Sequence, residues 1–385
     1  MNNENKHIPY ATQWLGDDDI QAVADSLRSS WLTQGPKVGE FEEKIARYCG
    51  VKYAVALNSG TSALHAACFA AGIGPGDQVI TSPITFAASA NCVLYCGGKP
   101  VFADIEEENM NIDPEQIAQK IDEKTKAIIP VHFAGHPCDL EKIKKIAKAT
   151  NLIVIEDAAH ALGGEYKKSK IGSCEYSDMT ILSFHAVKHI TTGEGGMVLT
   201  NNEEYFKKIS MFRTHGITKE SGDFENKSEE AWFYEMEFLG YNYRLTDFQS
   251  ALGLQQMNKL DKFLRRRREI VAKYNDSFKG IGGVKTPKEK ADAVSAWHIY
   301  TVQVGGKRKE IFDVLRKAGI GVNVHYIPVY WHPYYKKLGY EKGLCPKAEK
   351  YYQTAITLPL YPKMNEAEVD RVIKEFINAV DITNK

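Results

Sequence analysis

The chain has 385 residues, 43% of them apolar and 25% charged, which is the composition of a water-soluble globular protein long enough for two domains or slightly more. Forty-nine basic side chains offset forty-nine acidic ones, so no overall field draws the chain to nucleic acid or to an anionic membrane, and any anion site has to be local. No stretch approaches the roughly 18 uninterrupted apolar residues of a membrane span, and the opening residues show no basic segment leading into an apolar run, so the expected compartment is the cytosol.

From about Tyr53 to Thr200 short apolar runs alternate with helical patterns, the signature of a mostly parallel sheet covered by helices. The expected strands are Tyr53 to Leu57, Gln78 to Thr81, Pro100 to Ala103, Ala127 to Val131, Leu152 to Glu156, Met179 to Ser183 and Met197 to Thr200. Asp113-Pro114 marks a helix start, with aspartate as cap and proline in the first helical position. After Tyr243 the pattern changes. Thr246 to Phe278 reads as one long helix, Ala296 to Val304 as a strand, Lys307 to Ala318 as a helix, Ile320 to Val324 as a strand and Glu366 to Ala379 as a last helix. This C-terminal third reads as a smaller α+β domain joined to the first by the long helix.

The seven cysteines (Cys49, Cys68, Cys92, Cys96, Cys138, Cys174 and Cys345) are odd in number, form no Cys-x-x-Cys pair and lie mostly in apolar surroundings. They read as reduced core thiols, and no metal set is expected. The run Arg265 to Arg268 is spread around a helix axis rather than gathered on one face, so it reads as a solvated helix surface.

Three segments carry chemistry. Asn58-Ser59-Gly60-Thr61-Ser62 follows a strand and opens a helix, so free amides and hydroxyls offer a phosphate site, although such a segment also serves as a plain helix cap. Glu156-Asp157-Ala158-Ala159-His160 sets carboxylates at a strand's C-terminal end, where open α/β sheets bind ligands; a cap or a metal ligand is the alternative. Ser183-Phe184-His185-Ala186-Val187-Lys188 begins where a strand ends and runs into Gly193-Glu194-Gly195-Gly196. A lysine there is either a surface cation or, if burial lowers its pKa, a nucleophile.

The order of these segments, with Ser82-Pro83-Ile84-Thr85-Phe86 between the first and second, resembles the pyridoxal-phosphate aminotransferases of nucleotide-linked keto-sugars, the DegT/StrS type. The resemblance runs from Ile8-Pro9-Tyr10 through Trp31-Leu32-Thr33-Gln34-Gly35-Pro36 and Gly240-Tyr241-Asn242-Tyr243 to Val324-His325-Tyr326. It implies an N-terminal arm and a large α/β domain over residues 1–245, with a mostly parallel seven-stranded sheet (PLP-dependent transferase fold type I). A small α+β domain follows over 246–385.

The resemblance also implies roles. Lys188 would anchor pyridoxal 5'-phosphate covalently and act as general acid and base, and Asp157 would pair with the ring nitrogen. His160 would stand beside the ring hydroxyl, where many relatives have glutamine. Phe86 would cover a ring face. Gly60, Thr61, Ser62 and Ser183 would hold the phosphate, and Asn242 would reach it from the neighbouring subunit of a homodimer. Tyr10, Trp31, Leu32, Thr33, Asn323, Val324, His325 and Tyr326 would grip the nucleotide-sugar. L-glutamate would donate the amino group, leaving 2-oxoglutarate and pyridoxamine 5'-phosphate.

Within the family, the segments around Lys188 and His325 most resemble the branch making UDP-4-amino-4,6-dideoxy-N-acetyl-β-L-altrosamine, on the way to pseudaminic acid. The rivals are amination of another 4-keto sugar nucleotide (bacillosamine or perosamine type), a pyridoxamine-dependent sugar dehydratase, and a cofactor-binding regulator without turnover. The dehydratases carry histidine at the anchoring position, so Lys188 opposes that reading.

Overall fold

All seven expected runs become strands of one sheet in the computed structural model, which describes residues 7–220, 222, 224–226 and 230–384. They are β1 (Tyr53–Leu57), β2 (Gln78–Thr81), β3 (Lys99–Phe102), β4 (Thr125–Ile129), β5 (Ile153–Asp157), β6 (Met179–Ser183) and β7 (Gly196–Thr200). Their spatial order is β1-β7-β6-β5-β4-β2-β3. Only β7 runs against its neighbours; the pairs β2 with β3, β2 with β4, β4 with β5 and β5 with β6 are parallel.

Strand alternation explains why both faces need cover. Ala54 and Ala56 join one apolar cluster with Phe41, Ile45, Leu140 and Ile143, whereas Val55 and Leu57 join another with Leu64, Val93, Ile209 and Phe212. The first face is covered by α1 (Asp17–Arg28, through its packing on α8), α2 (Pro36–Cys49), α6 (Leu140–Thr150) and α8 (Asp247–Met257). The second is covered by α3 (Gly60–Ala70), α4 (Ala88–Tyr95) and α7 (Glu203–Phe212), while α5 (Pro114–Lys120) lies after β3. Seven of the last nine residues of α3 are alanine, leucine, cysteine or phenylalanine, and it is buried nearly all round, as expected of a helix with no polar face.

A further apolar cluster gathers the C-terminal half of α9 (Leu260–Phe278), α10 (Arg308–Lys317) and α13 (Glu366–Asn384) on an antiparallel sheet ordered β8-β9-β10. These strands are Val284–Lys285, Tyr300–Val304 and Ala355–Leu358. The short α11 (Pro333–Lys337) and α12 (Pro346–Thr354) pack Tyr335 and Tyr351 into a fourth cluster with Phe102 and Tyr330.

Four expectations are corrected. Of the run Arg265 to Arg268, read as a solvated helix surface, Arg267 is buried and donates to the carbonyls of Trp297, His298 and Leu360. The single helix over Thr246 to Phe278 is two helices, because the Asn258 and Lys259 amides reach back only three residues, to Gln255 and Gln256, and tighten the end of α8. The strand expected from Ala296 begins at Tyr300, because Ala296 and His298 instead donate to the carbonyls of Gly135 and Ala134. Ile320 to Val324 is no strand: it meets Ile8 at one residue and Thr357 at another, crossing two partners rather than running along either.

Candidate active site

The C-terminal ends of β1, β5 and β6 open onto a cavity of about 790 Å³. Ser59 caps α3, accepting from the Ser62 amide at 3.1 Å, while the Ser62 hydroxyl accepts from the Ser59 amide at 3.0 Å. This reciprocal box fixes the start of the helix and leaves Ser59, Gly60 and Thr61 on the cavity wall. Glycine is needed at two contacts here. A Cβ on Gly60 would lie 3.0 Å from that of Ser183, and one on Gly196 would lie 2.2 Å from the Ser59 carbonyl oxygen.

Asp157 closes β5 with its side chain buried, accepting from the Ser89 hydroxyl of α4 at 2.6 Å and from the Ala159 amide at 3.1 Å. Among the described residues its hydrogen-bond partners are thus neutral donors rather than cations. Lys188 sits in the loop between β6 and β7. That loop is pinned by the Phe184 amide on the Gly195 carbonyl, the Thr192 amide on the Phe184 carbonyl and the Lys188 amide on the His185 carbonyl. Burial pushes the Lys188 amine down to about 8, against the opposing pull of Asp157.

Histidines form much of the remaining wall. His160, His298 and His325 are buried, and burial holds all three below the ordinary histidine range, His325 at about 4, with the Lys188 charge adding to the effect. The Tyr326 hydroxyl lies 3.2 Å from His160 Nε2, and His325 Nδ1 lies 2.8 Å from the Thr357 hydroxyl. At neutral pH these three histidine side chains are therefore polar but uncharged.

Of the residues named from the sequence, Tyr10, Gly60, Thr61, Phe86, Asp157, His160, Ser183, Lys188, Asn323, Val324, His325 and Tyr326 line this one cavity. Phe86 stands at its rim with 64% of its surface exposed. Ser62 does not line it, because its hydroxyl is turned into the cap and bonds Asn58 and Ser59 at 2.7 Å. Trp31, Leu32, Thr33 and Asn242 also lie outside the lining and are exposed; Thr33 bridges Thr246, and Asn242 bridges Thr214. Lining residues to which the sequence assigned no individual role are Ser59, Thr85, His185 and Glu194, inside the motif segments, and Ser89 and His298, outside them. Ser59 was readable as the cap of its own motif, whereas Ser89 lies in a helix with no pattern to single it out.

The DegT/DnrJ/EryC1/StrS aminotransferase family matches residues 13–377. The chain belongs to this family. This sugar aminotransferase is 44% identical to the spore coat polysaccharide biosynthesis protein SpsC of Bacillus subtilis, over 97% of each chain. It is 41% identical to the UDP-4-amino-4,6-dideoxy-N-acetyl-beta-L-altrosamine transaminase of Campylobacter jejuni, over 93% of each. Among solved structures, the PMP form of the putative sugar aminotransferase Spr1654 from Streptococcus pneumoniae superposes with a TM-score of 0.91 at 34% identity, covering 97% of this chain and 99% of that one.

The enzyme depends on pyridoxal phosphate, and its residues fit that group. A buried carboxylate supplied only with neutral donors suits a protonated ring nitrogen. The amine at about 8 shares its cavity, and the start of α3 offers amides and hydroxyls for a phosphate. When bound, the cofactor supplies an electron-accepting ring and a carbon that carries the amino group between substrates.

Proposed function

We propose that this enzyme transfers the amino group of L-glutamate to the C4 ketone of a UDP-linked 4-keto-6-deoxy-N-acetylhexosamine, yielding UDP-4-amino-4,6-dideoxy-N-acetyl-β-L-altrosamine. The observation that carries the reading is the meeting of Lys188 and Asp157 in one cavity that Tyr10, Asn323, His325 and Tyr326 also line. The Campylobacter jejuni relative supports the choice of sugar.

In this reading Lys188 anchors the cofactor and carries the proton to and from the substrate carbon that bears the amino group. Proton transfer by a positioned side chain contributes roughly 100- to 10,000-fold. Asp157, oriented by Ser89 and Ala159, holds the ring nitrogen in its protonated form. Ser59, Thr61 and Ser183 would hold the phosphate, and Phe86, exposed at the rim, would cover a face of the ring. His160 and Tyr326 act as one hydrogen-bonded pair beside the ring, while Tyr10, Asn323 and His325 receive the sugar nucleotide. Polar, uncharged side chains suit hydroxyls and an N-acetyl group. Trp31, Leu32, Thr33 and Asn242 lie outside their own chain's lining, so they serve a second copy, and the working unit is a homodimer.

The identity to SpsC supports a second reading, amination of a different 4-keto sugar nucleotide. A panel of UDP-, dTDP- and GDP-linked 4-keto sugars with glutamate decides between them. The UDP-linked N-acetylated sugar should show the highest kcat/KM, and nuclear magnetic resonance of the product should show the L-altro ring configuration; a UDP-linked product of another configuration supports the second reading. Higher kcat/KM for a dTDP- or GDP-linked sugar would replace this assignment with the second.

A further inference from the structure

Thr85 has no part in the roles above, yet it begins a chain of buried groups that ends on Asp157. Thr85 and Ser89 are 4% and 1% exposed, the first on the segment that follows β2 and the second in the first turn of α4. Their hydroxyl oxygens lie 2.7 Å apart, and Ser89 Oγ lies 2.6 Å from Asp157 Oδ2. The segment carrying Thr85 is fixed from its other side. The Pro83 carbonyl accepts from the Val329 amide at 3.0 Å, the Ile84 amide donates to the Ser82 hydroxyl at 3.2 Å, and the Ile84 side chain is sealed in one cluster with Val329 and Tyr330. A segment distant in sequence thus holds Thr85 against α4, and α4 holds Ser89 against the end of β5.

The direction of the hydrogen bonds follows from counting donors. An ionised carboxylate only accepts, and a hydroxyl has one proton to give. Three oxygens lie within reach of Ser89 Oγ: Asp157 Oδ2 at 2.6 Å, Thr85 Oγ1 at 2.7 Å and the Phe86 carbonyl at 3.4 Å. The bond to the charged oxygen is the shortest and the strongest in kind. Among the described residues Ser89 is the sole hydrogen-bond partner of the Thr85 hydroxyl, and a buried hydroxyl proton aimed at no acceptor is costly. Thr85 therefore donates to Ser89. Its proton fills the line between the two hydroxyls and leaves the Ser89 proton to Asp157, whose other oxygen is served by the Ala159 amide at 3.1 Å.

We propose that Thr85 and Ser89 are positioning residues for Asp157, a one-way hydroxyl chain in which Thr85 keeps Ser89 donating and Ser89 keeps the carboxylate in place as a pure acceptor for the cofactor's ring nitrogen. A carboxylate already receiving hydrogen bonds competes less for a further proton, so the proton between Asp157 and the ring stays on the nitrogen. The inference rests on Asp157 being the partner of that nitrogen, and its test does not need turnover.

The full chain is loaded with pyridoxal 5'-phosphate carrying 15N in the ring, and the ring resonance is read by nuclear magnetic resonance, where protonated and bare pyridine nitrogens are well separated. Wild type should show the protonated position. Ser89→Ala should move the resonance toward the bare position and lower kcat about tenfold, the usual scale for losing a hydrogen bond to a charged group, with little change in the KM for glutamate. Thr85→Val should move it the same way by less, and Thr85→Ser should return it to the wild-type position. Adding Thr85→Val to Ser89→Ala should shift nothing further, because Thr85 acts only through Ser89. A wild-type resonance in Ser89→Ala, or a further shift in the double variant, overturns the proposal. Should Ser89→Ala fail to fold, neutron diffraction from the deuterated wild-type holoenzyme decides. Deuterons running from Thr85 to Ser89 and from Ser89 to Asp157 support the chain, and a Ser89 deuteron on Thr85 or on the Phe86 carbonyl overturns it. A bare ring nitrogen in wild type would sink this proposal together with the role of Asp157, whereas failure of glutamate to convert bound cofactor to its amino form would sink the proposed activity alone.

Discussion

Asp157 and Lys188 are opposite solutions to burial. The carboxylate keeps two hydrogen bonds, the shorter from Ser89, whose own hydroxyl lies 2.7 Å from that of Thr85. The lysine lies in surroundings that lower its pKa to about 8. Because the depressed pKa belongs to a cationic acid, lowering it enlarges the uncharged fraction at neutral pH. Uptake of pyridoxal phosphate by the cofactor-free protein should therefore accelerate about tenfold per pH unit below 8 and level off above it. Stopped-flow absorbance measures this. A rate still climbing steeply to pH 10 would mean that the amine is an ordinary surface lysine.

At the scale of elements, the site depends on how closely β7 approaches the start of α3. A Cβ on Gly196 would penetrate the Ser59 carbonyl, which is backbone and cannot rotate away, whereas Gly39 in α2 has nothing within 4 Å of the same position. Gly196→Ala should destabilise the protein by about 1–3 kcal/mol and weaken phosphate holding together with it. Gly39→Ala should instead stabilise by about 0.5–1 kcal/mol, since alanine is the better helix former. Thermal unfolding of the two variants in one buffer checks the contrast, and equal shifts would contradict the packing argument.

The strands around these positions were readable because fully buried parallel strands are short, continuous runs of apolar residues bounded by turn residues. The same signal misled at Ile320 to Val324, since composition cannot tell a strand from a segment that crosses two partners one residue at a time. The break between α8 and α9 carries neither glycine nor proline at Asn258-Lys259, so periodicity runs through it. Motif residues were legible at the site because their spacing is local. Ser89 and His298 were not, because each reaches the cavity through packing against elements distant in sequence.

Over the whole molecule, α9 belongs to two cores: Leu260 and Leu264 join the cluster beneath the large sheet, and Ile270, Val271, Tyr274 and Phe278 join the C-terminal one. We propose two domains, 1–245 and 246–385, bridged by α8 and the first half of α9, whose residues as far as Leu264 still pack in the first core, with the N-terminal arm crossing over, since Ile8 packs in the second core. The segment leading to Asn242 exposes four large apolar side chains, Trp232, Tyr234, Met236 and Leu239, which suits burial against a second copy. Complementation tests whether Asn242 serves that copy. Lys188→Ala and Asn242→Ala should each be inactive or nearly so alone. In a heterodimer of the two, one site combines an intact Lys188 with the partner subunit's intact Asn242, and the other has neither. Random exchange of subunits makes half the dimers mixed, so the mixture should regain about a quarter of wild-type activity. If Asn242 acted within its own chain, every site in the mixture would lack one residue or the other, and mixing would restore nothing.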